Sequence, residues 1–95
     1  MISLDQLNQL LQQNKGVVLD VRRDDERARG AIPHSIHIPI AELADRYQEL
    51  DPSLNYYVMC QSGKRAQRGV EFLKNKNYQV TCVIGDFNEW SGELI

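Results

Sequence analysis

The chain of 95 residues has the composition of one small globular domain, with 42% hydrophobic and 25% charged residues. Its 11 basic and 13 acidic side chains give a formal net charge of -2, which provides no field to attract a polyanion and argues against nucleic acid as a partner. Because a chain of this length buries only one hydrophobic core, we expect a single domain over residues 1–95.

The apolar and N-terminal segments bear on the cellular compartment. The longest unbroken apolar run, Tyr56–Cys60, has five residues, whereas a membrane-spanning helix needs about 20. The N-terminus lacks the basic and apolar regions of a secretory signal. We therefore expect no membrane partner and a cytoplasmic location. In that reducing compartment Cys60 and Cys82 would remain thiols.

The first half of the chain predicts a helix, a strand and an irregular segment. Leucines at helical spacing predict a helix over residues 4–13, with Ser3 and Gln6 as its capping box. The β-branched run Val17–Val21 does not alternate with polar residues, which is typical of a strand covered on both faces in a parallel sheet. The charged segment 22–39, punctuated by Gly and Pro, predicts a loop that carries one short strand.

The second half predicts three more helices and two more strands. Apolar residues at helical spacing predict a helix over residues 40–50. The strand 56–59 leads through the loop Cys60–Gly63 into the next helix, and the strand 80–84 precedes a short helix near Trp90. The buried face of the helix after the loop is predicted to comprise Ala66, Gly69, Val70 and Leu73. This alternation predicts an α/β fold with a mostly parallel central sheet, helices on both faces and right-handed crossovers.

Cys60 stands where a predicted strand ends and a helix begins. Ligands of a parallel sheet bind beyond the carboxyl ends of its strands, and the unpaired N–H groups of a helix N-terminus stabilise an anion. Lys64 and Arg65 add two positive charges in the same turn, and Gly63 lets the backbone approach the sulfur closely. We therefore predict that Cys60 is a thiolate nucleophile.

The other cysteine and the two histidines receive no chemical role. Cys82 lies in the middle of a predicted strand without adjacent cations, so we interpret it as a packing residue. Two residues separate His34 from His37, and neither cysteine forms a metal-type pair with another Cys or His. We therefore predict no metal site and interpret both histidines as loop residues.

The segment Cys60–Arg65 resembles the active-site loop of the rhodanese-like sulfurtransferases, which follows a strand and runs from a nucleophilic cysteine to a basic residue. The resemblance covers about residues 20–90 and includes the strand end Leu19–Arg22. At Gly30–Ser35 the chain departs from the family, because the family's histidine is displaced and its second glycine is absent. Gly85-Asp86 likewise stands where the family has Gly-Gly.

This resemblance implies a sulfurtransferase in which Cys60 becomes a persulfide and then passes the sulfur to an acceptor. The implied substrate-binding residues are those of the loop, namely Gln61, Ser62, Gly63, Lys64 and Arg65. Asp20 and Arg22 are implied to support the loop through ionic hydrogen bonds, and a surface ion pair is an equally good interpretation of Arg22. The implied chemistry requires neither a metal nor an organic cofactor.

The loop sequence is most similar to that of rhodanese domains at the C-terminus of adenylyltransferases, which supply sulfur to carrier proteins of molybdopterin or thiamine biosynthesis. This similarity implies thiosulfate or the persulfide of a cysteine desulfurase as donor, and a small sulfur-carrier protein as acceptor. Single-domain rhodaneses look alike over this length, so the sequence leaves open whether the chain is part of a larger fusion.

Three alternatives stay open at the level of sequence. A cysteine-dependent phosphatase or arsenate reductase also uses a thiolate in a nest of N–H groups, but phosphatases resemble Cys-x5-Arg, and here Arg65 follows Cys60 after four residues with Ala66 in the phosphatase position. A non-catalytic rhodanese-fold interaction module is the second alternative. The third, a redox switch between Cys60 and Cys82, requires Cα atoms within about 7 Å.

Overall fold

The computed structural model describes every residue from Met1 to Ile95 and contains one five-stranded sheet in the order β1-β5-β4-β2-β3. All four strand pairs are parallel. The strands are Ile2–Ser3 (β1), Val17–Asp20 (β2), Ile36–His37 (β3), Asn55–Met59 (β4) and Gln79–Ile84 (β5). The predicted α/β class with a parallel sheet is confirmed.

Four α-helices and three short 3₁₀ turns connect the strands. The helices are Leu4–Gln12 (α1), Asp24–Ala28 (α2), Leu43–Arg46 (α3) and Lys64–Asn75 (α4), and the 3₁₀ turns are Ile40–Glu42, Tyr47–Glu49 and Phe87–Glu89. The predicted first helix, the strand after Gly16, the strand before Cys60 and the strand 80–84 are confirmed to within one or two residues. The helix predicted after the Cys60–Gly63 loop is confirmed as α4. None of these helices has the length and apolar character that crossing a bilayer requires.

The helix predicted over residues 40–50 is wrong as a continuous element. The structure divides it into the 3₁₀ turn Ile40–Glu42, the four-residue helix α3 and the 3₁₀ turn Tyr47–Glu49. Apolar residues three positions apart also satisfy the three-residue period of a 3₁₀ helix, so the pattern did not decide the helix type. Leu43 is buried as its spacing indicated, whereas Ala44 is exposed. The helix predicted near Trp90 is likewise a single 3₁₀ turn, Phe87–Glu89.

Two elements were not expected from the sequence. The strand β1 has only two residues, too few to show a periodicity, and pairs with Val83 and Ile84 of β5. The helix α2 lies in the segment predicted as a loop. Its first turn is acidic throughout, Asp24, Asp25 and Glu26, and acidic residues favour a helix N-terminus because of the backbone dipole.

The sheet separates two apolar clusters, which is why helices cover both of its faces. Val18 and Met59 belong to the cluster on the α1 side, together with Leu7 of that helix. Their chain neighbours Leu19 and Val58 belong to the cluster on the side of α3 and α4. Successive residues of a strand point to opposite faces, so apolar residues in unbroken runs fill both clusters at once.

The fold brings the ends of β2 and β4 to the same edge of the sheet. Asp20, the last residue of β2, is in register with Met59, the last residue of β4. Val21 and Cys60 therefore follow side by side at the ends of the neighbouring strands, and Arg22 comes one residue later. This edge is where a parallel sheet places its ligands.

Candidate active site

The Cys60 sulfur lies inside the turn that begins α4. Its Sγ accepts the backbone N–H groups of Gly63 at 2.9 Å and Ala66 at 3.3 Å. Only 3% of the residue is exposed, and it packs against the apolar cluster beneath α4. Two amides directed at one sulfur stabilise negative charge on it, which is the arrangement that a thiolate nucleophile needs.

Gly63 gives this turn its shape. It is the N-cap of α4 and has a left-handed backbone with φ of 95°. A Cβ at this position would lie 3.7 Å from Ile84 Cα and 3.8 Å from the Gly85 nitrogen, which is ordinary contact. The turn therefore requires glycine for its backbone angle rather than for lack of space.

Further N–H groups of the loop have no acceptor in the protein. The backbone N–H groups of Gln61, Ser62, Lys64 and Arg65 donate neither to a carbonyl nor to a side chain. They lie in the same six-residue turn as the sulfur and at the positive end of the α4 dipole. The loop can therefore donate more hydrogen bonds than the Cys60 sulfur alone accepts, and an anionic atom bound to that sulfur would find donors nearby.

Arg65 is fixed by a carboxylate that the sequence did not single out. Its Nη1 donates to Glu26 Oε1 at 2.6 Å and its Nη2 to Glu26 Oε2 at 2.9 Å. The side chains of Arg65 and Glu26 are only 17% and 8% exposed. The hydrogen bonds from Arg65 lower the pKa of Glu26 to about 2, aided by the N–H of Arg23. The same pair raises the pKa of Arg65.

Asp20 and Arg22 form a buried pair at the end of β2. They are 1% and 2% exposed, and the Arg22 guanidinium donates from Nε and Nη2 to the Asp20 carboxylate. The interpretation of Arg22 as a surface ion pair is therefore wrong. The guanidinium also donates to the carbonyls of Glu26 at 3.3 Å and Gly30 at 2.8 Å. The pair thus holds α2 and reaches the Cys60 loop through Glu26, whose carboxylate binds Arg65, and through Phe87, whose ring lies 4.5 Å from the Arg22 guanidinium.

The remaining loop residues have separate surroundings. The Gln61 side chain donates to Asn88 Oδ1 at 3.2 Å, and its carbonyl accepts the Phe87 N–H at 2.8 Å. These bonds tie the loop to the 3₁₀ turn that follows β5. Ser62 and Lys64 are exposed, and neither side chain has a partner in the protein.

Cys82 is a buried residue of β5, as its position in the sequence indicated. It is 5% exposed, and burial raises the pKa of its thiol. Cys82 is in register with Val58 of β4, and Cys60 lies two residues after Val58, just beyond the end of that strand. Strand spacings then place the two cysteine Cα atoms about 8 Å apart. This separation exceeds what a disulfide spans, so the redox switch would need the backbone to move.

The two histidines lie away from the Cys60 turn. His37 belongs to β3, and its Nε2–H donates to the carbonyl of Arg22 at 2.7 Å. His34 is exposed and has a left-handed backbone with φ of 66°. The side chains form no cluster of three or more His, Cys, Asp or Glu that could hold a metal ion.

Known proteins share both the sequence pattern and this architecture. The family model described as Rhodanese-like domain matches residues 3–93. The protein YtwF of Bacillus subtilis, named as a sulfurtransferase, is 32% identical over 76 residues, which are 80% of this chain and 74% of that protein. The crystal structure of a rhodanese-related protein from Thermoplasma volcanium is 31% identical, with a TM-score of 0.90 over 99% of this chain and 95% of that one.

Two larger relatives contain a segment similar to the whole chain. YrkF of Bacillus subtilis, named as a sulfur carrier protein, is 30% identical over 97% of the chain, which spans about half, 51%, of that protein. The adenylyltransferase and sulfurtransferase MOCS3 of Arabidopsis thaliana is 26% identical over 98% of the chain and 24% of its own length. The resemblance to adenylyltransferase-linked domains is thereby confirmed.

Proposed function

The chain belongs to the rhodanese-like domain family, and we propose that it is a sulfurtransferase in which the Cys60 sulfur carries a second sulfur between donor and acceptor. Relatives named as sulfurtransferases support this general kind of reaction. The observation that carries the proposal is the turn in which the N–H groups of Gly63 and Ala66 both donate to Cys60 Sγ. A sulfur held in this way is prepared to be the anionic nucleophile.

The first step loads the enzyme. The Cys60 thiolate attacks the outer sulfur of thiosulfate, a new S–S bond forms, and the old S–S bond breaks with its electron pair leaving on sulfite. The product on the enzyme is a Cys60 persulfide anion. The unpaired N–H groups of Gln61, Ser62, Lys64 and Arg65 are available to stabilise its outer sulfur. No proton and no redox partner enter this step.

The second step returns the enzyme to its starting state. A thiophilic acceptor such as cyanide or a thiolate attacks the outer sulfur, and the S–S bond breaks with its electron pair returning to Cys60. Covalent catalysis thus divides one exchange between two anions into two displacements. The Gly63 and Ala66 N–H groups stabilise the departing thiolate in this second displacement.

The names of two relatives support a place in sulfur supply. YrkF is named as a sulfur carrier protein and MOCS3 as an adenylyltransferase and sulfurtransferase. By analogy, the physiological donor of this domain is thiosulfate or the persulfide of a cysteine desulfurase, and its acceptor is a small sulfur-carrier protein of molybdopterin or thiamine biosynthesis. The reaction would take place in the cytoplasm.

The size of the loop favours sulfur over a tetrahedral oxyanion. Four residues separate Cys60 from Arg65, and the Arg65 guanidinium binds Glu26. A cysteine phosphatase uses its loop arginine to bind the substrate phosphate, and this chain has Ala66 in that position. The intact Cys60 turn likewise supports an enzyme over an interaction module that uses the fold only for docking.

Thiosulfate with cyanide as acceptor tests the proposal directly. Wild type and Cys82→Ser are expected to form thiocyanate, whereas Cys60→Ser is expected to form none because the nucleophilic sulfur is absent. Intact-mass spectrometry after treatment with thiosulfate should show one added sulfur atom in wild type and Cys82→Ser only. Activity that is lost in Cys82→Ser alone, or an aryl phosphate turned over faster than thiosulfate, would contradict the proposal.

A further inference from the structure

A side-chain cap organises the 3₁₀ turn that follows β5. Asp86 is the N-cap residue of this turn, and its carboxylate accepts the Asn88 N–H at 2.9 Å. The Asp86 carbonyl accepts the Glu89 N–H, also at 2.9 Å. These two bonds fix the backbone of the turn and leave the Phe87 N–H directed at another segment of the chain.

That remaining donor binds the Cys60 loop. The Phe87 N–H donates to the Gln61 carbonyl at 2.8 Å, and water competes little for this bond because Phe87 is buried. The Gln61 side chain forms a second link, to Asn88 Oδ1, but this bond is exposed and 3.2 Å long. The backbone bond is therefore the stronger of the two links between the turn and the loop.

The Gln61 carbonyl determines where the next N–H points. The peptide between Gln61 and Ser62 is planar and trans, so its C=O and its N–H point in opposite directions. Because the carbonyl faces Phe87, the Ser62 N–H faces away from the turn, and it has no acceptor in the protein. If this peptide rotated by half a turn, a carbonyl would replace the N–H, and its dipole would repel an anion that the N–H attracts.

We propose that Asp86 is a positioning residue for sulfur transfer. Its cap aims the Phe87 N–H at the Gln61 carbonyl. This contact keeps the Ser62 N–H turned towards the outer sulfur of the Cys60 persulfide. The inference rests on the proposed sulfurtransferase function. The family pattern has glycine where this chain has Asp86, and glycine has no side chain to form the cap.

The proposed contact acts on the equilibrium of persulfide formation. The free and the loaded enzyme both contain Cys60 Sγ, whose donors are the N–H groups of Gly63 and Ala66. Only the loaded enzyme contains the outer sulfur, which the Ser62 N–H would serve. Loss of the Asp86 cap should therefore lower the ratio of persulfide to free thiol at a fixed ratio of thiosulfate to sulfite. The reactivity of the free thiol should not change.

Intact-mass spectrometry at equilibrium tests the inference. The protein is incubated with thiosulfate and sulfite at a fixed ratio, and the fraction that carries one added sulfur atom is measured. Asp86→Ala is expected to lower the equilibrium constant for persulfide formation about tenfold, because a hydrogen bond to an anion loses its fixed donor. Asp86→Asn should retain at least about half of the wild-type value, since an Asn side chain also caps.

Asp51→Ala is the matched control in the same assay. The Asp51 carboxylate accepts the Ser53 N–H at 2.9 Å, in an exposed turn before β4 and thus at the other end of that strand from Cys60. We expect Asp51→Ala and Asp86→Ala to lower the Tm to a similar extent, because each loses the same type of bond. Asp51→Ala should keep the wild-type persulfide equilibrium. All three variants should keep the wild-type rate of alkylation by iodoacetamide.

The outcomes distinguish this inference from the function on which it rests. If wild type forms the persulfide and Asp86→Ala matches Asp51→Ala in its equilibrium constant, the role of Asp86 is overturned and the sulfurtransferase remains. An equal loss in Asp86→Asn would assign the effect to the charge and overturn the cap. Slow alkylation in Asp86→Ala would show that the donors to Sγ had moved as well, which overturns a specific effect on the Ser62 N–H. A wild type without persulfide overturns the proposed function and this inference together.

Discussion

Glu26 lies 39 positions before Arg65 in the chain, yet the two side chains share two hydrogen bonds. The carboxylate also accepts the Arg23 N–H, and its residue's carbonyl accepts Arg22. A single side chain therefore joins the buried pair at the end of β2 to the first turn of α4. The Cys60 loop depends on a residue that touches neither its sulfur nor its free amides.

Replacing Glu26 by glutamine should test this connection. Glu26→Gln leaves a mostly buried guanidinium without its carboxylate, so we expect the free energy of unfolding at neutral pH to fall by about 2 to 3 kcal/mol. Urea denaturation provides the measurement. Asp25→Asn is the matched control, because Asp25 is the neighbouring acid and its pair with Arg23 is exposed. An equal loss in both variants would show that the Glu26 contact has no special weight.

The same carboxylate should make stability depend on pH. The folded state lowers the pKa of Glu26 from 4.5 to about 2 because of the Arg65 hydrogen bonds. The folded state therefore favours the carboxylate, and this stabilisation is fully present above 4.5 and is lost as the pH falls towards about 2. The stability difference between wild type and Glu26→Gln should shrink across that range. If the difference in unfolding free energy stayed constant over this pH range, the loss of stability in Glu26→Gln would not arise from the charge of Glu26.

Two glycines, one at the N-cap of α4 and one inside the helix, have different structural roles. Gly63 caps the helix with φ of 95°, a backbone angle that side chains disfavour. Gly69 lies in the helix interior, where an added Cβ would meet Ile40 Cδ1 and Val58 Cγ1 at 3.5 Å, an ordinary contact. Gly63 is therefore required for the backbone of the Cys60 turn, whereas Gly69 occupies a position in α4 that has room for a methyl group.

Alanine at these two positions should therefore have opposite effects. Gly63→Ala forces a left-handed alanine, which we expect to lower stability by about 1 to 2 kcal/mol and to slow alkylation of Cys60 as its N–H donor shifts. Gly69→Ala should raise stability by up to about 1 kcal/mol through helix propensity and leave alkylation unchanged. Urea denaturation and the iodoacetamide reaction rate measure both effects. Fast alkylation in Gly63→Ala would remove the Gly63 amide from the mechanism.

The elements that the hydrophobic pattern predicted are those whose own side chains fill the core. The apolar residues of α1 and α4 recur at helical spacing, and those of β2, β4 and β5 form short runs, so the sequence alone indicated these elements. The helix over 40–50 was wrong because its apolar spacing suits an α-helix and a 3₁₀ turn alike. β1 and α2 were not predicted because contacts with distant parts of the chain stabilise them. β1 pairs with β5, and α2 is held by the buried contacts of Glu26.

For the molecule as a whole, the site is assembled from four remote segments of the chain. The strand end at Asp20, helix α2, the turn after β4 and the segment around Phe87 meet at one edge of the sheet. Local pattern was enough to locate Cys60 and its glycine. The pairing of Arg65 with Glu26 and the burial of Arg22 depend on the order of the strands in the sheet. A short sequence motif carries no information about that order.

Phe87 connects several of these segments, and its contribution to stability can be tested directly. Its N–H donates to the Gln61 carbonyl, its ring lies 4.5 Å from the Arg22 guanidinium, and the ring stacks on Trp90 at 5.9 Å. Phe87→Ala should lower the free energy of unfolding by about 3 kcal/mol, because it removes a buried ring and a cation–π contact. The exposed Leu54→Ala is the control in urea denaturation. Equal effects would argue that Phe87 contributes no more than a surface residue.

The strand order has a consequence for synthesis on the ribosome. β1 leaves the ribosome before the other strands of the sheet, but its only neighbouring strand is β5, which ends at Ile84. β1 therefore cannot pair until all four later strands of the sheet have been synthesised. Each of the other parallel pairings also joins segments that are separated in the chain. Such topologies fold slowly and leave edges open meanwhile, so a nascent chain paused before β5 should be a substrate for chaperones.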